Sequence, residues 1–232
     1  MTKLLANRLA ARLDEMVSCN QSAFIKKRFI QDNFMMVQQI VKFLHSQKQP
    51  SVLLKLDITK ALDLVSWAFL LEVLRNLGFG PRWCDLICGL LSSSSTQVLL
   101  NGIPGYGILH RRGLRQGDLL LPMLFILVMD VLNQMFTRAA EVGLLQPLSR
   151  RPIKHRISLY ADDVAIFVQP NAADINLSLQ LWDLFGDASG LRTNVQKSNV
   201  LPIHCAEDDL ALIQNLLPCE MLEFPCKYLG LP

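Results

Sequence analysis

The sequence predicts an α+β fold, a mixed or antiparallel sheet with helices packed on one face. Three observations point there. Short β-branched and aromatic runs alternate with longer stretches of helical spacing. The central pair of strands, Arg156 to Gln169, is joined by a tight acidic turn, which makes them antiparallel neighbours where a doubly wound sheet would need a crossover. The 232 residues, 51% of them hydrophobic, can bury a sizeable core.

The elements follow from local chemistry. Leu4 to Met16 has apolar residues at helical spacing, with Arg8 and Arg12 between them. Asn20-Gln21-Ser22-Ala23-Phe24 breaks that pattern, and Lys26-Lys27-Arg28 makes a basic loop before a second helix, Ile30 to Leu44. Pro50 marks a turn. Val52-Leu53-Leu54-Lys55-Leu56-Asp57-Ile58 is then an apolar strand closing on an acid, and Lys60 to Leu77 is helical until Gly78-Phe79-Gly80-Pro81 stops it.

Arg82 to Leu91 reads as a further helix. Gln97 to Leu100 and Tyr106 to His110 are short strands about Asn101-Gly102, a strong hairpin signal in a loop that Pro104-Gly105 lengthens. After a basic, glycine-bearing loop (Arg111 to Asp118), Leu119 to about Ala140 forms a long helix with Pro122 in its first turn, where proline is tolerated. Ala172 to Gly186 is a helix, Thr193 to Ile203 a strand, Glu207 to Leu217 a helix and Lys227 to Leu231 a last short strand.

Composition narrows the function classes. The net charge of +3 suits nucleic acid without resembling an arginine-rich tail. The six cysteines show no C-x-x-C pair or His/Cys knuckle, so neither a zinc module nor a disulfide framework is signalled, and reduced thiols are expected. The N-terminal helix is amphipathic, unlike a signal-peptide core. The apolar run Leu119 to Val128 is too short for a membrane helix, so no membrane partner is expected.

One stretch resists this bland reading. Ser158-Leu159-Tyr160-Ala161-Asp162-Asp163-Val164-Ala165-Ile166-Phe167 sets two adjacent acids inside an apolar hairpin. A solvated turn accommodates them, since Asp favours turns. The other reading is a cation site, because buried carboxylates need a partner or a metal. Asp57 also ends an apolar run. If its strand lies beside the hairpin, three carboxylates converge, and hard divalent ions would compensate them as in two-metal phosphoryl transfer.

Five motifs stand in order: Leu54-Lys55-Leu56-Asp57 with Ala61 and Asp63; Gly113-Leu114-Arg115-Gln116-Gly117-Asp118; Tyr160-Ala161-Asp162-Asp163; Gly190-Leu191-Arg192-Thr193-Asn194 to Lys197-Ser198; and Lys227-Tyr228-Leu229-Gly230. In this order they resemble the successive motifs of reverse transcriptases. The upstream Asn20-Gln21-Ser22-Ala23-Phe24-Ile25, with Arg28 and Asp32-Asn33, resembles the non-LTR, LINE-type retrotransposon branch, especially its plant members.

The resemblance implies a right-hand polymerase palm over residues 51–232, with partial fingers over 1–50 and a fingers insertion near 80–112. It implies RNA-directed DNA synthesis with two Mg²⁺ ions, Mn²⁺ substituting, on an RNA template, a DNA primer and dNTPs. Asp57 and Asp162 would bridge the metals, Asp163 would assist and the Ile58 carbonyl would complete the site. Arg28, Leu62, Gln116, Gly117 and Lys197 would border nucleotide and template, and Lys227, Tyr228, Leu229 and Gly230 would hold the primer. Asp63 and Asp118 are expected to cap helices. An intracellular location, nucleus or cytoplasm, is expected from the family alone.

The sequence also departs from the family pattern. Leu62 stands where an aromatic side chain usually excludes a ribose 2′-hydroxyl, and Leu119-Leu120-Leu121-Pro122 replaces a Pro and Ser-Pro start. Relatives carry an Arg-Pro fingers strand upstream and a thumb downstream, so a truncated copy without a thumb is expected. The alternative reading is a degenerate, inactive copy that binds nucleic acid weakly through Lys26, Lys27, Arg28, Arg111, Arg112 and Arg115.

Overall fold

A computed structural model describes residues 2–115 and 117–231. Along the chain these form α1 (Thr2–Ala10), α2 (Leu13–Met16), α3 (Ile30–Ser46), β1 (Ser51–Leu56), α4 (Ala61–Leu64), α5 (Trp67–Asn76) and α6 (Pro81–Ser92). The short strands β2 (Ser95–Thr96), β3 (Leu99–Leu100), β4 (Ile103–Pro104) and β5 (Ile108–Leu109) follow, then α7 (Leu121–Glu141). The chain continues with β6 (Ile157–Tyr160), β7 (Asp163–Val168), α8 (Ala172–Ser189), β8 (Asn199–Ile203), α9 (Glu207–Leu216) and β9 (Glu220–Met221).

The main sheet has five strands in the order β6-β7-β1-β8-β9. All pairings are antiparallel except β8 with β9, so the sheet is mixed. Strand alternation sorts its side chains into two faces. Val52, Leu54, Val164, Ile166, Val168 and Val200 pack under α5, α7 and α8, the main helical layer. Leu53, Ala165, Phe167, Leu201 and Ile203 face the other way, where α3 covers them with Val37 and Leu44. One helix therefore lies across the face that the predicted layer leaves open.

The deepest element is α7. Thirteen of its residues are buried, including Phe125, Leu132 and Phe136, so it is apolar nearly all round because protein surrounds it. Among the described residues it is the one helix long and apolar enough to cross a membrane by length and composition, and most of that stretch lies inside the fold. Its start lacks a side-chain cap. Pro122 sits in the first turn, and the Asp118 carboxylate accepts from the Leu120 N–H at 2.9 Å just ahead of it.

The edge strand β6 is not left bare. Asn20, Gln21 and Ser22 run beside it: the Ser22 N–H donates to the Leu159 carbonyl at 3.3 Å, and the Leu159 N–H donates to the Asn20 carbonyl at 2.9 Å. Buried amides bind the strip. Asn20 Nδ2 donates to Asn133 and to the Ile157 carbonyl, while Asn33 Nδ2 from α3 reaches Asn20, Ser158 and Leu159. A covered edge cannot recruit another strand.

Several boundaries differ from expectation for tertiary reasons. The helix expected over Lys60 to Leu77 breaks at Val65-Ser66, because the Ser66 N–H donates to the Ser189 carbonyl at 2.7 Å and the Ser66 hydroxyl caps α5. Asp63 lies within α4 and caps neither helix. The strand expected from Thr193 begins only at Asn199. Ahead of it Val195–Lys197 forms a 3₁₀ turn, and Thr193 keeps one bridge to Ile58.

The loop predicted to be long around Asn101-Gly102 is a two-residue hairpin, with both residues at positive φ (52° and 82°), the geometry that this dipeptide favours. Lys227 to Leu231 is a turn in place of a strand. The Tyr228 N–H and Leu231 carbonyl pair at 2.8 Å and the reverse pair at 3.0 Å, closing over Leu229 (φ 51°) and Gly230 (φ 79°).

Candidate active site

The acids sit where β1 and the β6–β7 hairpin end together. The register Leu56↔Val164 brings Asp57 level with Asp163, and Tyr160 pairs with Asp163 so that Ala161-Asp162 forms the turn. Ala161 has φ 52°, a left-handed conformation that makes this reversal tight. The sheet thus delivers all three carboxylates to one rim, as the strand pattern predicted.

They do not face the same way. Asp57 and Asp162 border a cleft of about 500 Å³, together with Phe24, Ile58, Thr59, Lys60, Ala61, Leu62, Phe125, Ala161, Asn194 and Lys197. Asp163 belongs to the alternate side of β7, shared with Ala165 and Phe167, so it points toward Lys55 and Tyr228. Burial pushes its carboxyl pKa up, the charge of Asp162 adds to this, Lys55 opposes it and Asp57 raises it further.

Asp57 is held by its backbone. Its N–H donates to Ser198 Oγ at 3.1 Å, and its carbonyl accepts from the Asn194 N–H at 2.7 Å. Ser198 is fully buried and donates its own hydroxyl to the Asn194 carbonyl at 2.8 Å. The same 3₁₀ turn presents Lys197, exposed, to the cleft. The roles of Ser198 and Asn194 escaped sequence reasoning, although both fall inside a motif it had singled out.

Among the described residues no three His, Cys, Asp or Glu side chains form a ready-made metal cage. The donors that share the cleft are the two carboxylates of Asp57 and Asp162. That set fits Mg²⁺, a hard cation usually bound by one or two carboxylates plus substrate oxygens and water, and it does not fit a soft thiolate or imidazole metal.

The other expected site residues divide. Leu62 is half-buried in the cleft wall, and its carbonyl accepts from the Leu114 N–H at 2.6 Å, which joins the glycine-bearing loop to the cleft. Gly113 locks that loop: it has φ 83°, any side chain there would collide with the Asp63 backbone, and its carbonyl accepts from Trp67 Nε1 at 2.7 Å. Gly117 is exposed with φ 89°, a conformation that suits glycine alone. Gln116 lies outside the described residues.

The Arg28 guanidinium donates to the Asp14 carboxylate and to the carbonyls of Asp14, Val17, Ser18 and Gln21, so its N–H groups are engaged in pinning the segment after α2. Lys26, Lys27, Arg111, Arg112 and Arg115 are exposed. The Lys227–Gly230 turn stands beside Asp163. Lys55 Nζ donates to the Lys227 carbonyl at 3.1 Å, and the buried Tyr228 hydroxyl donates to Ser158 Oγ at 3.1 Å. Burial raises the Tyr228 pKa, Ser158 lowers it and Asp163 raises it again.

Comparison with known proteins sets this geometry in context. The family model described as reverse transcriptase (RNA-dependent DNA polymerase) matches residues 1–232. The chain is 26% identical over 201 residues to an uncharacterized 149 kDa protein of transposon TX1 from Xenopus laevis, covering 87% of this chain and 15% of that protein. It is 27% identical over 227 residues to the Pol polyprotein of the type-2 retrotransposable element R2DM from Drosophila melanogaster, covering 96% of this chain and 20% of that one. The chain therefore spans a fifth or less of these two relatives. Among solved structures, telomerase from Candida albicans shares the fold, with a TM-score of 0.59 at 12% identity over 85% of this chain and 34% of that one.

Proposed function

Because this chain belongs to the reverse transcriptase (RNA-dependent DNA polymerase) family, we propose that it is the palm-centred polymerase domain of a LINE-type retrotransposon, copying an RNA template onto a DNA primer. The observation that carries this is the shared cleft: Asp57 and Asp162, delivered by neighbouring strands, open into the same space as the exposed Lys197. Relatives from R2 and TX1 elements support the retrotransposon origin.

The reaction joins a primer 3′-hydroxyl to the α-phosphate of a dNTP, and pyrophosphate leaves. Asp57 and Asp162, with the Ile58 carbonyl, would hold two Mg²⁺ ions, which would supply Lewis-acid stabilisation of the attacking and leaving oxygens. Lys197 faces the triphosphate and neutralises charge as pyrophosphate departs. Leu62 borders the sugar, and Gly117 borders the incoming nucleotide and the template. The Tyr228 turn steadies the primer end, and Asp163 biases the local field without occupying the cleft. Positioning supplies much of the rate in phosphoryl transfer, so the strapping of Asp57 by Ser198 matters as much as its charge.

Primer extension on an RNA template with Mg²⁺ or Mn²⁺ tests this. Extension is expected from the chain and is expected to vanish in Asp57→Ala and Asp162→Ala. A folded chain that extends nothing would instead be the non-catalytic copy, with its exposed lysines and arginines left as a weak nucleic-acid surface.

A further inference from the structure

We infer that Phe24 is the apolar wall of the nucleotide site, the side chain against which the incoming nucleotide packs; this rests on the polymerase reading above and names a residue of that site. Phe24 is 56% exposed although its neighbours Ala23 and Ile25 are buried, at 2% and 6%. It borders the same cleft as Asp57, Asp162 and Lys197. The other aromatic residue on that lining, Phe125, is 1% exposed and belongs to the core. Phe24 is thus the aromatic surface that the cleft offers to a ligand.

Its backbone is held there at a cost. Phe24 has φ 59°, the left-handed region that a bulky aromatic residue rarely adopts. Such strain persists only where the surroundings over-determine it, and here they do. Gln21 is fully buried, and its Oε1 accepts from both the Ala23 N–H at 2.9 Å and the Ala161 N–H at 3.2 Å. One side chain therefore straps the residue before Phe24 to the residue before Asp162. On the other side the Arg28 clamp closes the loop back onto Ser18 and Gln21. The backbone beside the aromatic ring is thereby tied to the turn that carries Asp162. A merely structural Phe would bury its ring, whereas this one spends strain to keep it in the cleft. Stacking or van der Waals contact with a nucleotide is what an exposed ring beside carboxylates and a lysine offers.

The test is nucleotide affinity in a complex of the full chain with an RNA template and a dideoxy-terminated primer, titrated with dNTP and Mg²⁺ and read by fluorescence anisotropy. Phe24→Ala and Phe24→Gly are expected to weaken dNTP binding about tenfold, and Phe24→Trp to stay within about twofold of the parent. Phe24→Gly also separates ring from strain: glycine accepts this φ freely, so its melting temperature should hold or rise while affinity falls. A parent that binds and extends, with Ala and Gly variants unchanged in affinity, overturns the inference and leaves the polymerase reading intact. A folded parent that neither binds dNTP nor extends overturns both.

Discussion

Ser198 holds Asp57 from behind: the Asp57 N–H donates to Ser198 Oγ at 3.1 Å, and the Ser198 hydroxyl donates to the Asn194 carbonyl at 2.8 Å. The first acid of the site is thereby fixed, across 141 residues of sequence, to the end of a turn that carries Lys197. The backbones that carry donor and cation are thus joined, although they come from segments far apart in sequence.

Ser198→Ala removes both bonds at a fully buried position and leaves the Asp57 N–H without its acceptor. A loss of about 1–2 kcal/mol is expected, and for a domain of this size that lowers the melting temperature by roughly 2–8 °C. Primer extension should fall further than stability does, because Asp57 loses its placement. Thermal melts paired with extension rates check this, and a variant that melts lower yet extends at the parent rate would remove Ser198 from the positioning role.

Arg28 gives the opposite kind of prediction. Its five acceptors make it a strut, so Arg28→Ala should cost about 2–3 kcal/mol. Arg28→Lys should rescue little of that, since an ammonium cannot span the fork. If the folded fraction of either variant keeps parental affinity for RNA, the structural role stands. If affinity falls at unchanged stability, Arg28 touches substrate after all.

How much of this was legible in sequence depends on how local its cause is. The strand ending at Asp57 and the hairpin around Asp162 are written in short apolar runs, and their register follows from the tight turn. Arg28 looked like a free cation because sequence shows charge and not the carbonyls folded around it. The break at Ser66 comes from the Ser189 carbonyl, and Ser198 acts through Asn194 and Asp57. No periodicity carries such contacts. Asn20, Gln21 and Asn33 stood inside a noticed motif, but only the fold reveals that they seal β6 and strap the catalytic turn.

Tyr228 anchors the last turn through one buried hydroxyl. Tyr228→Phe keeps the ring and deletes the bond to Ser158, which should cost about 1 kcal/mol. Extension past the first few nucleotides should suffer more than the first addition, because the turn is assigned to the primer end. Single-nucleotide and multi-nucleotide extension assays separate the two, and equal losses in both would point to general destabilisation.

Asp163 makes stability depend on pH with a definite sign. Its folded pKa lies above the ordinary aspartate value of 3.8, so over the interval between them the folded chain binds more protons than the unfolded chain. The contribution to stability is present in full below 3.8 and is lost as pH rises through the folded pKa. Asparagine cannot ionise. Asp163→Asn should therefore melt with the parent in acid and above it near neutral pH, the gap opening as pH rises. Burial is the larger cause of the raised pKa, and the neighbouring carboxylates add to it; divalent cations bound at Asp57 and Asp162, as proposed, would offset that second part. Mg²⁺ should then raise the parent's melting temperature near neutral pH and narrow the gap, and Asp162→Asn should abolish most of the Mg²⁺-dependent rise. Melting curves against pH, with and without Mg²⁺, read both effects. A gap that is constant with pH would show that burial does not perturb Asp163, and an unchanged Mg²⁺ response in Asp162→Asn would move the metal donors elsewhere.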